Sequence, residues 1–158
     1  MLPPAMSAHT APIQDDLRRL LGAPPADIVA WGLARFGRKL AIASSFSIED
    51  CVVIDRACKA ARAAKSDDVR VFALDTGRLP DETYMTAERV RMKYGVEIEW
   101  LFPQREPVEK LIQLKGLYSF RDSLENRHEC CGIRKVEPLG RALPTSTPGP
   151  PASATSSR

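Results

Sequence analysis

The feature that most narrows the fold of this chain is an alternation. Three short runs rich in apolar and β-branched residues, "KLAIASS", "VRVFALDTG" and "VEIEWLF", are separated by longer segments with helical periodicity, "FSIEDCVVIDRACKAARAAK" and "LPDETYMTAERVRMKYG". Strand, loop and helix repeated at this spacing predict parallel β-α-β units, with helices covering the sheet and right-handed crossovers. "PVEKLIQLKG" after the third run adds a further helix. Ahead of the first strand, "IQDDLRRLLG" reads as a short helix from Ile13 that stops at Gly22. "PPADIVAWGLARFG" reads as a second helix, with proline at its start, Ile28, Val29, Leu33 and Phe36 near helical spacing, and Gly37 as its stop. In open parallel sheets, ligands sit beyond the carboxyl ends of the strands. Here those ends carry "SSFS" and "LDTGR".

A chain of 158 residues supports one domain, and only if most of it joins the core. Residues 1–12 are Pro, Ala and small polar residues for the most part and are expected to lack fixed structure. The folded domain is expected over 13–143. The last fifteen residues, "PTSTPGPPASATSSR", hold no large apolar side chain to offset their ordering entropy, so 144–158 is expected to be a disordered tail. Hydrophobic residues make up 44% and charged residues 27%, with no apolar run of the roughly twenty residues that a membrane span needs. The N-terminus lacks the pattern of a secretory signal, and a cytoplasmic, reducing setting is expected. Net charge is +3, with basic and acidic residues interleaved, which argues against nucleic acid as a partner and for a small anion.

Three stretches hold groups suited to chemistry. In "ASSFSIED", a strand runs through Ser44, Ser45, Phe46 and Ser47 into a helix whose free N–H groups and serine hydroxyls suit phosphate or sulfate oxygens. The plainer reading makes Ser47 an ordinary cap, with Glu49 and Asp50 complementing the helix dipole. In "LDTGRLPDETY", Leu74, Asp75, Thr76, Gly77 and Arg78 leave the second strand; Gly77 allows close backbone approach and Arg78 offers a planar fork to an anion. The plainer reading is a turn with a solvated arginine. In "RHECCGIRKVEPLGRAL", Cys130 and Cys131 are adjacent, an awkward geometry for a disulfide with each other, so a metal or redox role is more natural. Near the start of a helix they would stand about 100 degrees apart around its axis and both could turn to one metal centre. Zinc or an iron-sulfur cluster suits such soft ligands, but a closed centre takes four. Cys51 and Cys58 lie seven apart on one helix face with Ile54 and Ala61 between them, which reads as core packing. Arg134 and Lys135 follow the thiols, able to reach an anionic substrate or to remain a solvated basic face, and His128 just ahead is a lone histidine of low functional weight.

Taken together, "SSFSIEDCVVID", "VFALDTGRLPDETY", "KGLYSF" and "CCGIRKVEPLGRAL", in this order, resemble the assimilatory adenylyl-sulfate reductases, close relatives of the phosphoadenylyl-sulfate reductases, over roughly residues 30 to 143. The resemblance implies an α/β fold of the adenine nucleotide α-hydrolase-like, PP-loop type, incomplete at the C-terminus here. It implies reduction of adenosine 5'-phosphosulfate to sulfite and AMP, with thioredoxin or a similar dithiol as reductant, in sulfate assimilation and cysteine biosynthesis. It implies a 4Fe-4S cluster with Cys130 and Cys131 as two of its four ligands, and it favours the substrate without a 3'-phosphate. Carried over residue by residue, Ser44, Ser45, Phe46 and Ser47 belong to the phosphosulfate loop, Leu74 to Arg78 to the nucleotide-binding strand end, and Arg134 to the substrate-binding set. Lys135 would support catalysis between cluster and substrate.

The sequence also departs from the family. Ser47 and Ile48 stand where relatives often carry Gly-Ala, which makes a bulkier loop. Relatives continue past "EPLGRAL" with a Gly-x-Arg-Arg segment, a Cys-x-x-Cys pair and a nucleophilic cysteine in a Glu-Cys-Gly context; none is in this sequence, and its tail would suit an out-of-frame reading of GC-rich coding sequence. Without an attacking thiolate this chain is expected to be inactive alone. Two rival readings remain: a phosphoadenylyl-sulfate reductase, against which the cysteine pair argues, and a noncatalytic nucleotide- or metal-binding fragment. Sequence leaves homo-oligomerisation open.

Overall fold

The computed structural model describes residues 13–143; the expectations of disorder for 1–12 and 144–158 lie outside the described residues. Two compact units are present. Within the described residues the first comprises 13–74 with 78–100, and the second 75–77 with 101–143.

The first unit opens with helices α1 (Ile13–Leu20) and α2 (Pro25–Phe36). Proline at the first turn of α2 gives up an N–H that has no intrahelical partner, and Gly37 ends the helix at φ +52. After a 3-10 turn at Gly37–Lys39 come β1 (Ile42–Ala43), α3 (Ile48–Ala63), β2 (Val71–Leu74), α4 (Asp81–Tyr94) and β3 (Ile98–Leu101). The strands form one parallel sheet in the order β1-β2-β3, with Ile42 beside Val71 and Ala43 beside Phe72. Pairing along "KLAIASS" is thus shorter than the apolar run suggests. Ser44 extends it by one bond, its N–H donating to the Phe72 carbonyl at 2.9 Å, before the chain turns away.

Burial explains the elements. On α3 the buried residues are Ile54, Ala57, Cys58 and Ala61, spaced three, four and seven apart so that they share one face. Val71, Phe72 and Ala73 of β2 are all buried, as expected of a parallel strand covered on both faces. With Phe46, Ala87, Val90 and Val96 these residues build the core, against which Cys51, Tyr94 and Trp100 pack. The ring of Trp100 lies 5.9 Å from Phe46 and 5.8 Å from Tyr84. Gly95 closes α4 in the left-handed region at φ +66, a conformation that glycine enters without steric cost. The Tyr94 hydroxyl, donating to Asp55 at 2.9 Å, fastens α4 to α3.

The second unit contains α5 (Arg105–Lys115), a 3-10 turn at Ser119–Arg121, α6 (Leu124–Cys131), a π-helical turn (Gly132–Val136) and α7 (Glu137–Ala142). Ser123 caps α6, its hydroxyl accepting from the Asn126 N–H at 3.1 Å. Lys115 holds α5 to α6 through Glu129 at 2.6 Å and Asn126 at 2.9 Å. The π turn has a covalent cause. Pro138 lacks the N–H that would donate to the Arg134 carbonyl, and its ring would press on that carbonyl in a regular helix. The helix widens instead, with the Glu137 N–H donating to the Gly132 carbonyl five residues back.

Candidate functional site

The serine loop lies in the first unit. Ser44 is buried and its hydroxyl oxygen accepts from the Phe46 N–H at 3.0 Å, while Phe46 takes φ +60 with its ring in the core. A bulky residue in the left-handed region stores backbone strain, here held in place by the buried ring. Ser47 is the α3 cap: its hydroxyl accepts from the Asp50 N–H at 3.3 Å, and the Asp50 carboxylate accepts in return from the Ser47 N–H at 3.4 Å. The same carboxylate oxygen accepts from both the N–H and the hydroxyl of Ser45, at 2.7 and 2.8 Å. Partial burial pushes the Asp50 carboxyl up, but the hydrogen bonds from Ser45 and Ser47 outweigh it and hold it below the usual range. Three donors that sequence reasoning assigned to an external anion therefore converge on an internal one. Asp50 was read as a dipole partner only; the signal for its larger role is a carboxylate three residues after a serine cap.

Cys51 and Cys58 belong to the core, as their spacing predicted. Burial raises both thiols above the ordinary cysteine value, and the Cys51 thiol donates to the Phe46 carbonyl at 3.9 Å. Neither has the setting of a reactive thiolate.

At the end of β2, Leu74 is half-buried and Arg78 is exposed, both in the first unit. The intervening residues belong to the second unit, where Asp75 and Thr76 are buried. Asp75 donates its N–H to the Leu101 carbonyl at 2.9 Å and accepts the Gly77 N–H at 2.7 Å on its carboxylate, a tight side-chain-closed turn. Gly77 has φ +71, so the turn requires glycine.

The thiol pair stands at the end of a helix rather than near its start. Cys130 and Cys131 end α6, and the chain continues without a break through the π turn into α7, so no ring of free N–H groups faces them. The proline-driven π turn, invisible to helical periodicity, sets this register. Cys130 is buried and Cys131 half-buried. Among the described residues, no cluster of three or more His, Cys, Asp or Glu side chains is placed to hold a metal ion. The pair amounts to half of a four-ligand set, and the described residues alone do not fit a complete cluster. His128 and Lys135 are exposed. Arg134 is buried instead, with Nη1 donating to the Thr76 carbonyl at 2.6 Å.

A parallel sheet clad in helices defines an α/β fold, and within the second unit the glycine turn and the thiol pair lie on one bonded framework. The comparisons narrow this. Residues 39–148 match the model of the phosphoadenosine phosphosulfate reductase domain, and the chain belongs to that family. It is 46% identical over 120 residues to adenosine 5'-phosphosulfate reductase of Pseudomonas aeruginosa (strain LESB58), covering 75% of this chain and 42% of that protein. It is 44% identical over 126 residues to the probable 5'-adenylylsulfate reductase 1, chloroplastic, of Oryza sativa subsp. japonica, covering 80% and 25%. The chain thus spans less than half the length of these relatives. The crystal structure of phosphoadenylyl-sulfate reductase from Candida auris, a phosphate complex, superposes with a TM-score of 0.64 at 21% identity, over 87% of this chain and 63% of that one, which shows the fold. Among the described residues no helix is long and apolar enough to cross a membrane.

Proposed function

We propose that this chain carries the nucleotide-recognising part of an enzyme that reduces adenosine 5'-phosphosulfate to sulfite and AMP in sulfate assimilation, in the cytoplasm, with thioredoxin or a similar dithiol as reductant. The observation that carries this reading is the arrangement in the second unit, where the glycine turn of Asp75, Thr76 and Gly77 is bonded through Arg134 to the helical run bearing Cys130 and Cys131. The substrate preference rests on relatives named for adenosine 5'-phosphosulfate and on the adjacent cysteines.

In this reading the turn from Leu74 to Arg78 receives the nucleotide, and the loop of Ser44, Ser45, Phe46 and Ser47 offers donors to the phosphosulfate. Anion binding at that loop requires the donors of Ser45 to leave Asp50, so the carboxylate competes with the anion it stands in for. Cys130 and Cys131 would supply two ligands to a 4Fe-4S cluster, with the others from outside the described residues; bound, such a cluster adds electrostatic stabilisation and redox capacity beside them. Lys135, exposed one residue past Arg134, would lend positive charge to a bound anion. The reaction has a plain balance. A cysteine thiolate attacks the sulfur, the bond from sulfur to the bridging phosphate oxygen breaks, and AMP leaves with the electron pair. A dithiol then takes the S-sulfo group off as sulfite and ends as a disulfide.

The four thiols of this chain fit no nucleophile, since Cys51 and Cys58 are packed in the core and Cys130 and Cys131 are assigned as ligands. The test is sulfite release from adenosine 5'-phosphosulfate by the purified chain with reduced thioredoxin, alongside equilibrium binding of the nucleotide. Binding without sulfite is expected. Sulfite release would overturn the assignment of the thiols, and absence of binding would overturn the nucleotide reading.

A further inference from the structure

Arg134 poses a physical problem that its family role does not solve. The residue is 5% exposed, too enclosed for a group whose task is to meet a substrate anion from solvent. Its Nε is buried with no hydrogen-bond partner among the described residues. A guanidinium left partly unpaired in the interior destabilises the fold, so a methionine of similar length would be the cheaper filling. Its Nη1 donates to the carbonyl of Thr76, fifty-eight positions earlier, at 2.6 Å.

The surroundings show what that bond does. Gly77 sits at φ +71, and a Cβ added there would come within 3.3 Å of Arg134 Nη1, closer than ordinary contact. The guanidinium therefore lies flush against the backbone of the turn. On its far side the turn is closed by the Asp75 carboxylate on the Gly77 N–H and by the Asp75 N–H on the Leu101 carbonyl. Each of these bonds is made at a different point, and the Arg134 bond holds the Thr76–Gly77 peptide plane by its oxygen. The plane's other end, the Gly77 N–H, is the one held by Asp75. Arg134 reaches this position because it sits in the middle of the π turn that Pro138 enforces, four residues after the buried Cys130 and on the same side of the helical run.

We infer that Arg134 is a positioning residue, holding the peptide between Thr76 and Gly77 in the orientation that receives the adenine nucleotide, and acting through the Thr76 carbonyl rather than by touching the substrate. The inference rests on the nucleotide-binding role proposed above for this turn. Lysine is a poor replacement, because an ammonium lacks the rigid planar group whose Nη1 both donates to the carbonyl and lies against the glycine.

The experiment compares the wild-type chain with Arg134→Lys and with Leu111→Ala, a cavity-forming control on α5 in the same unit, where Leu111 is buried and is no partner in the turn's hydrogen bonds. AMP and adenosine 5'-phosphosulfate are the probes, titrated by calorimetry well below the melting temperature of every variant, and hydrogen exchange is read at the Gly77 amide. Arg134→Lys should weaken nucleotide binding by about ten-fold or more, the size expected for one charge-assisted bond, and speed exchange at Gly77. Leu111→Ala should lower the melting temperature while leaving affinity within about two-fold. If Arg134→Ala also folds, millimolar guanidinium should restore protection at Gly77 and sodium should not. An affinity unchanged in Arg134→Lys would overturn the inference, as would equal losses in Arg134→Lys and Leu111→Ala. If the wild-type chain binds neither nucleotide, the functional reading fails, and Arg134 is then judged on Gly77 exchange alone, where no acceleration in Arg134→Lys refutes the clamp.

Discussion

Asp50 gathers two N–H groups and a hydroxyl onto a single carboxylate oxygen, and that convergence makes a prediction with a defined sign. The hydrogen bonds hold its folded-state value below the ordinary aspartate value of 3.8. The contribution of the carboxylate is therefore complete above that value and is lost as pH falls through the lower, folded-state one. Asp50→Asn should cost about 1 kcal/mol near neutrality, the usual worth of a helix cap, and should flatten the loss of stability in the acid window below about pH 4. Denaturant melts at neutral and acid pH check both; parallel pH profiles for variant and wild type would contradict the role. At this scale the sequence was half legible. Ser47 as a cap and Cys51 with Cys58 as core residues followed from local spacing, because both depend on neighbours within two helical turns. The bond from Arg134 to Thr76 and the capture of Ser45 did not, because one joins residues far apart in the chain and the other requires the loop to fold back on its own helix.

The elements were easier to read than their junctions. Amphipathic periodicity and glycine or proline stops located α2, α3 and α4 to within a residue or two, since those signals are covalent and local. β1 is shorter than its apolar run, because the chain leaves the sheet to form the strained loop at Phe46. The π turn at Gly132–Val136 was not legible, since a 3.6-residue period cannot display it, and it directly follows the thiols at the end of α6. Pro138 is the visible cause, and it gives the element-scale prediction. Pro138→Ala returns an N–H able to bond the Arg134 carbonyl and should let the helix regularise, turning Arg134 away from Thr76. Nucleotide affinity should then fall with the fold intact, by about ten-fold if the Arg134 bond is lost outright. Affinity equal to wild type, with the π pattern gone from the hydrogen-exchange map, would separate the turn's geometry from its function.

At the scale of the whole molecule, family membership rests on the match over residues 39–148, whereas the structural neighbour shows the fold. The order of motifs was legible because each falls at the end of a strand or within a helix whose boundaries the sequence marks. What stayed hidden is where the thiol pair falls in the helical run, a question of tertiary placement on which two adjacent cysteines are silent. The nucleotide claim can be met head on by titrating the purified chain with adenosine 5'-phosphosulfate and with its 3'-phosphorylated relative under identical salt. The account predicts saturable binding of the first, tighter than the second by about ten-fold or more; no binding, or a preference for the 3'-phosphate, would contradict it.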